Sequence, residues 1–175
     1  MANFNEAATI RLAGVVRESI VDGPGIRFVV FCQGCPHHCE NCHNKETHSF
    51  MGGFECEISK IINAIDENPL LTGVTFSGGE PMCQPEGFLE LAKALKERNL
   101  NIITYSGYTY EQILHMSEKN NSIRELITYI DLLIDGQYDE EQRDLTLMFR
   151  GSRNQRVIDV KESLKQGEVV ISDLF

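Results

Sequence analysis

The chain has 175 residues, 42% of them apolar and 24% charged, with a formal net charge of −10. This length suits one well-packed domain, and the acidic balance argues against nucleic acid or an anionic membrane surface as the main partner, because both attract clustered cations. No apolar run approaches the roughly 18 residues of a membrane span and no secretory signal is recognisable, so we expect a cytoplasmic protein with no membrane segment.

Strand and helix character alternate along the chain. β-Branched and aromatic runs predict strands, and apolar residues three and four positions apart predict helices. The predicted strands are 10–18 (an edge strand or hairpin arm), 26–32, 73–77, 101–105, 132–134 and 156–160, and the predicted helices begin near 58, 85, 109 and 122. Capping-box spacing marks the last two helix starts, with Thr109 and Gln112 in one box and Ser122 and Glu125 in the other. This alternation predicts parallel strands with crossover helices, an α/β fold in a single domain over residues 1–175.

Four of the six cysteines, Cys32, Cys35, Cys39 and Cys42, lie close together after the predicted strand 26–32. Closely spaced thiols form a metal-ligand pattern, because a short loop brings several sulfurs to one centre. Two arrangements remain open on this spacing. All four thiols can close a tetrahedral zinc site, or Cys35, Cys39 and Cys42 can hold a [4Fe–4S] cluster that leaves one iron open, as a catalytic metal site requires.

Four loops of unusual composition follow predicted strands directly. They are the cysteine loop at 32–44, Gly-Gly-Glu at 78–80, Ser-Gly at 106–107 and Asp-Gly at 135–136. In parallel α/β sheets the carboxyl ends of the strands carry the active site. A structural zinc knuckle has no reason to share that edge with three other loops, so this placement favours a catalytic cluster.

The ordered set of motifs resembles a known enzyme superfamily. The spacing Cys35-x3-Cys39-x2-Cys42 after one strand, with Ser-Gly-Gly-Glu-Pro at 77–81 after another, is similar to the radical S-adenosylmethionine enzymes. The segments at 22–27 (Asp-Gly-Pro-Gly-Ile-Arg) and 42–44 (Cys-His-Asn) resemble activating enzymes of glycyl radical proteins. Within that family, the small size and the blocks at 105–108, 135–138 and 150–155 look most like activases of the anaerobic, class III ribonucleotide reductase.

The resemblance implies an open, partial parallel β/α barrel of the radical-SAM type. It also implies that Cys35, Cys39 and Cys42 bind a [4Fe–4S] cluster whose fourth iron is chelated by S-adenosylmethionine. One electron from a flavodoxin or ferredoxin would cleave the cofactor, and the resulting 5′-deoxyadenosyl radical would take a hydrogen atom from the glycyl radical loop on the large subunit of the reductase. The cluster loop would be 32–44, the cofactor-binding strand ends would extend to about 137, and the segment 145–175 would face the partner.

The residues expected to contact S-adenosylmethionine lie beside the third cysteine and at the strand ends. They are Asn41, Cys42, His43, Ser77, Gly78, Gly79, Glu80, Ser106 and Asp135. Gly78 and Gly79 would let the backbone approach the methionine moiety, and Glu80 would accept from its ammonium group, directly or through the surrounding backbone. For Ser106 and Asp135 an ordinary turn role is the alternative.

Other readings stay open at this point. The chain can be the activase of another glycyl radical enzyme, a radical enzyme acting on a small molecule, or a non-catalytic zinc module built on the four clustered thiols. Segments 22–27 and 150–155 are expected to meet the partner's glycine loop or to serve only as local turns. We expect Cys56 and Cys83 to be unliganded thiols. The adjacent His37 and His38 are candidate alternative metal ligands, but we expect both to face solvent.

Overall fold

The computed structural model of the chain describes residues 3–174. Its strands are β1 (Thr9–Ser19), β2 (Arg27–Cys32), β3 (Phe54–Glu57), β4 (Gly73–Gly78), β5 (Asn101–Tyr105), β6 (Leu132–Asp135) and β7 (Arg156–Asp159). Its helices are α1 (Ile58–Asp66), α2 (Pro85–Glu97), α3 (Tyr110–Ser117), α4 (Asn121–Tyr129) and α5 (Val160–Gln166). Among the helices in the described part of the chain, none is long and apolar enough to cross a membrane.

All seven strands form one mixed sheet in the order β3-β1-β2-β4-β5-β6-β7. The expected parallel pairing is confirmed at the centre, where β2, β4, β5 and β6 run in one direction. The sheet is nevertheless mixed, because β1 and β3 are antiparallel to their neighbours, and the parallel expectation is wrong for β7, which is antiparallel to β6. A parallel pair needs a crossover connection, and the loop 136–155 between β6 and β7 contains only a short 3-10 turn.

The first and third strands differ from expectation for local reasons. β1 is an arm of a hairpin with β2, as one reading of its sequence predicted, but it also pairs with β3 and is therefore not an edge strand. β3 is absent from the sequence prediction. It has four residues and none is fully buried, so no apolar alternation marks it.

The core lies between the sheet and the helices that connect the parallel strands. Ile58, Ile61, Ile62 and Ile65 are the buried face of α1, as their spacing predicts. Phe76 on β4 packs against Phe88 on α2 with ring centroids 4.7 Å apart. This packing fixes α2 on the sheet, and the parallel pairing of β2, β4, β5 and β6 brings their carboxyl ends to one edge.

A buried cation lies on the sheet beneath the turn that precedes β2. Arg27 is 1% exposed and donates to the Thr75 hydroxyl at 2.8 Å, to the Val74 carbonyl at 2.8 Å and to the Asn101 side chain at 3.0 Å. Burial lowers the pKa of its guanidinium to about 10, which leaves it charged at neutral pH. The Thr75 hydroxyl in turn donates to the Asp22 carbonyl at 2.8 Å, so this network fastens the turn to the sheet.

The start of α4 corrects the second predicted capping box. The N-cap is Asn120, whose side-chain oxygen accepts from the Ile123 amide at 3.1 Å, and Ser122 lies inside the helix. Asparagine caps helices as well as serine does. We therefore expect Asn120→Ala to lower the free energy of unfolding in urea by about 1 kcal/mol. The control Ser122→Ala should stay within about 0.5 kcal/mol of the parent chain. An equal loss of stability in both variants would instead support Ser122 as the N-cap.

Candidate metal and cofactor site

A cavity of about 680 Å³ opens at the carboxyl ends of the parallel strands. The loops after β2, β4, β5 and β6 supply one side of it, and the segment 143–151 supplies much of the other. Its lining from the strand-end loops includes Cys35, His37, Cys39, Cys42, His43, Ser77, Gly78, Gly79, Ser106, Gly107, Gly136, Gln137 and Tyr138. The four loops that the sequence places after strand ends therefore meet at one site.

The clustered thiols divide into two environments. Cys35, Cys39 and Cys42 line the cavity. Cys32 is 0% exposed and belongs to the apolar core. Burial raises the pKa of the Cys32 thiol well above its ordinary value, so it remains protonated at neutral pH. Between residues 3 and 174, no three Cys, His, Asp or Glu side chains are gathered around a single-ion position.

Backbone amides point at the three thiols of the cavity. Burial raises the pKa of Cys35, and the backbone N–H of His37 opposes that shift. Burial likewise raises the pKa of Cys39, with the backbone N–H of Tyr138 opposing it. The Asn44 amide donates to the Cys42 sulfur at 3.5 Å. Hydrogen bonds to cysteine sulfurs are among the features that tune iron–sulfur clusters, so this donor set fits a cluster held by three thiolates.

Two glycines at the carboxyl end of β4 let the backbone of the cluster loop approach closely. Gly78 has a φ of +92°, and a Cβ there would stand 2.6 Å from the Cys32 backbone nitrogen. A Cβ on Gly79 would stand 2.3 Å from the Gly34 carbonyl oxygen. The Glu80 amide donates to that same carbonyl at 2.8 Å. The glycine pair thus joins two strand-end loops and leaves a floor of bare backbone beneath the cavity.

Glu80 is 0% exposed and fully engaged within the protein. One carboxylate oxygen accepts from the Met82 amide at 3.0 Å and from the Ser106 hydroxyl at 2.9 Å. The other accepts from the Gly107 amide at 2.9 Å and from His37 Nε2 at 2.8 Å. This carboxylate does not line the cavity, and its direct contact with a cofactor ammonium stays a prediction.

The prediction that both adjacent histidines face solvent is wrong for His37. Its side chain is 7% exposed and turned inward onto Glu80, whereas His38 is exposed. Histidine pairs in loops carry no periodic signal, so the sequence does not reveal which of the two is buried. Gln137, which belongs to the block at 135–138, approaches His37 Nδ1 at 3.3 Å, a contact that no local sequence signal indicates.

Two other predicted contacts lie outside the cavity lining. Asp135 is 1% exposed and accepts from the Tyr110 amide at 2.8 Å and from Arg156 Nη2 at 2.5 Å. The hydrogen bond to Asp135 also raises the pKa of the Arg156 guanidinium. Asn41 is exposed, with a φ of +54°. The remaining predicted contacts, Cys42, His43, Ser77, Gly78, Gly79 and Ser106, all line the cavity.

The loop between β6 and β7 is held in place over the site. The Gln155 side-chain oxygen accepts from the amides of Gly151 and Ser152, at 3.0 and 3.2 Å. Tyr105 donates its hydroxyl to the Phe149 carbonyl at 2.5 Å. Burial raises the pKa of this tyrosine, so it remains a donor at neutral pH. These contacts make the predicted block at 150–155 a compact turn beside the cavity.

The chain is similar to a protein family, to curated proteins and to a solved structure. Residues 21–158 match the family described as the 4Fe-4S single cluster domain. The anaerobic ribonucleoside-triphosphate reductase-activating protein of Vibrio cholerae is 35% identical over 144 residues, covering 78% of this chain and 89% of that protein. The pyruvate formate-lyase-activating enzyme of Clostridium pasteurianum is 39% identical over 113 residues, covering 59% of this chain and 48% of that enzyme. Among solved structures, QueE from Escherichia coli superposes with a TM-score of 0.46 at 16% identity, covering 58% of this chain and 54% of that one.

Proposed function

Since the chain belongs to the 4Fe-4S single cluster domain family and to the family of anaerobic ribonucleoside-triphosphate reductase-activating proteins, we propose that it generates the glycyl radical of that reductase. The observation that carries this proposal is the placement of Cys35, Cys39 and Cys42 on one cavity with the glycine pair that ends β4. Three thiols with an adjacent bare-backbone floor suit a cluster that keeps one iron open for a cofactor.

Each part of the cavity has a separate task in this proposal. Cys35, Cys39 and Cys42 would hold the [4Fe–4S] cluster, and Gly78 and Gly79 would receive the methionine part of S-adenosylmethionine. When bound, these groups supply reductive cleavage of the sulfonium and abstraction of a hydrogen atom from the partner's glycine. The protein's contribution is ligation, orientation and exclusion of competing reactions.

Exposed apolar residues at the mouth of the cavity are consistent with a protein as the substrate. Val21 and Leu145 both line it and are 72% and 79% exposed. Apolar surface at the mouth of a cavity is suited to being covered by a protein partner. We assign this surface to the large subunit of the reductase, whose glycine loop would enter between them. A flavodoxin or ferredoxin would deliver the electron, and the four parallel strands would form the open half-barrel of the radical-SAM type.

Electron paramagnetic resonance on the chain reconstituted without oxygen tests the proposal. After reduction we expect a [4Fe–4S]⁺ signal whose shape changes when S-adenosylmethionine is added, because the cofactor binds the open iron. Removing the iron with a chelator should abolish cofactor cleavage. The absence of an iron signal, with about one tightly bound zinc per chain, would contradict the proposal and favour the four-thiol zinc module.

The similarity to a pyruvate formate-lyase-activating enzyme supports a second candidate, activation of a different glycyl radical enzyme. Both candidates use the same cavity and cofactors and differ only in the partner. Incubation of the reconstituted chain with each purified partner, followed by detection of the glycyl radical doublet, separates them. A radical on the reductase alone supports the first candidate, and a radical on the lyase alone supports the second.

A further inference from the structure

His37 contacts the ends of three different strands from within the cluster loop. Its Nε2 donates to Glu80, after β4, at 2.8 Å. Its ring lies edge-on to Tyr108, after β5, with centroids 4.5 Å apart. Its Nδ1 lies 3.3 Å from the side-chain amide of Gln137, after β6. Two residues before it is Cys35, and two residues after it is Cys39.

The contacts around this ring leave little freedom. A Cβ on Gly107 would stand 2.3 Å from His37 Cδ2, so the glycine is required for the ring to approach the β5 end. The hydrogen bonds agree with one tautomer, in which Nε2–H donates to Glu80 and Nδ1 accepts from the Gln137 amide. Glu80 is itself fixed by Ser106 and by two backbone amides, so the anchor beneath His37 is rigid.

We propose that His37 is a positioning residue, which fixes the orientation of the cluster loop relative to the backbone at Gly78 and Gly79. The inference rests on the proposed function and deepens it. Because His37 lies midway between two of the three thiols, its anchor on Glu80 determines where Cys35 and Cys39 stand relative to Gly78 and Gly79. The thiols can still gather a cluster without this anchor. Without it, however, the placement of Cys35 and Cys39 relative to Gly78 and Gly79 would no longer be fixed.

Variants at this position separate positioning from ligation. His37→Ala should retain a full complement of iron but bind S-adenosylmethionine about tenfold more weakly, because a fold-change of that size corresponds to about 1.4 kcal/mol, roughly the loss of one well-placed hydrogen bond. The change in shape of the reduced cluster signal should be lost at cofactor concentrations that saturate the parent chain. His37→Gln places an amide nitrogen near the position of Nε2, and should restore binding to within about threefold.

Two further variants make the test specific. His37→Asn carries the same amide on a shorter side chain that does not reach Glu80, so it should behave like His37→Ala. His38→Asn is the matched control, because His38 is exposed in the same loop and its φ of +52° suits asparagine. Cofactor binding in this control should equal that of the parent.

The readouts are iron content, cofactor affinity by titration, and the signal of the reduced cluster with and without cofactor. Parent-like affinity in His37→Ala would overturn the inference, as would equal behaviour of His37→Gln and His37→Asn. Loss of iron in His37→Ala and His37→Gln would also overturn it, since the residue would then be needed for cluster assembly. If the parent chain itself gives no cofactor-dependent signal, the proposed function has failed and not this inference alone.

Discussion

Replacing Cys35, Cys39 or Cys42 singly by alanine is expected to abolish cleavage of S-adenosylmethionine. Each of these thiols lines the cavity, and a cluster with three protein ligands has no spare thiolate to substitute. Iron content and methionine release should fall together in all three variants. The measurement is anaerobic reconstitution followed by iron analysis and quantification of methionine.

Cys32→Ala is the matched control for that experiment. Its thiol is in the apolar core and is absent from the cavity lining, so iron content and cofactor cleavage should both be retained. Cys83→Ala provides a second control, since Cys83 is exposed and also outside the lining. Loss of the cluster in Cys32→Ala would show that the ligand assignment is wrong and would revive the four-thiol zinc reading.

Much of the fold and of the site follows from short-range sequence signals. The β-branched run at 26–32 and the isoleucine spacing of α1 both predicted their elements. The position of special loops after strand ends predicted that they would meet, because parallel strands carry their carboxyl ends to one edge. The spacing of the clustered cysteines indicated a metal-ligand loop but left three or four ligands open, and only the structure separates the three cavity thiols from the buried Cys32.

The features that sequence reasoning missed depend on long-range geometry. The direction of β7 depends on the loop 136–155, which returns without a helix, and a short strand pattern is the same in either direction. The inward turn of His37 depends on a glycine seventy positions further along the chain, Gly107, which leaves room for the ring. Neither relation is visible in a local window.

Glu80→Ala is expected to lower the free energy of unfolding of the cluster-free chain by about 3–5 kcal/mol, because several buried donors lose their acceptor. The substitution leaves the donors on Ser106, Gly107 and His37 buried without their shared acceptor. Each unsatisfied buried donor costs about 1–3 kcal/mol. In a chain of this size the loss corresponds to a fall in Tm of about 10 °C, measurable by urea and thermal unfolding.

This experiment distinguishes two roles for the same carboxylate. If Glu80 acts mainly by contacting the cofactor, the cluster-free chain should keep its stability, because no cofactor is present to lose. If it joins the loops after β2, β4 and β5, stability falls before any cofactor is added. Glu118→Ala is the control, since that carboxylate is exposed and its loss should cost no more than about 0.5 kcal/mol. The buried network around Glu80 favours the second outcome, in which this residue of the Gly-Gly-Glu segment supports the cofactor floor from beneath.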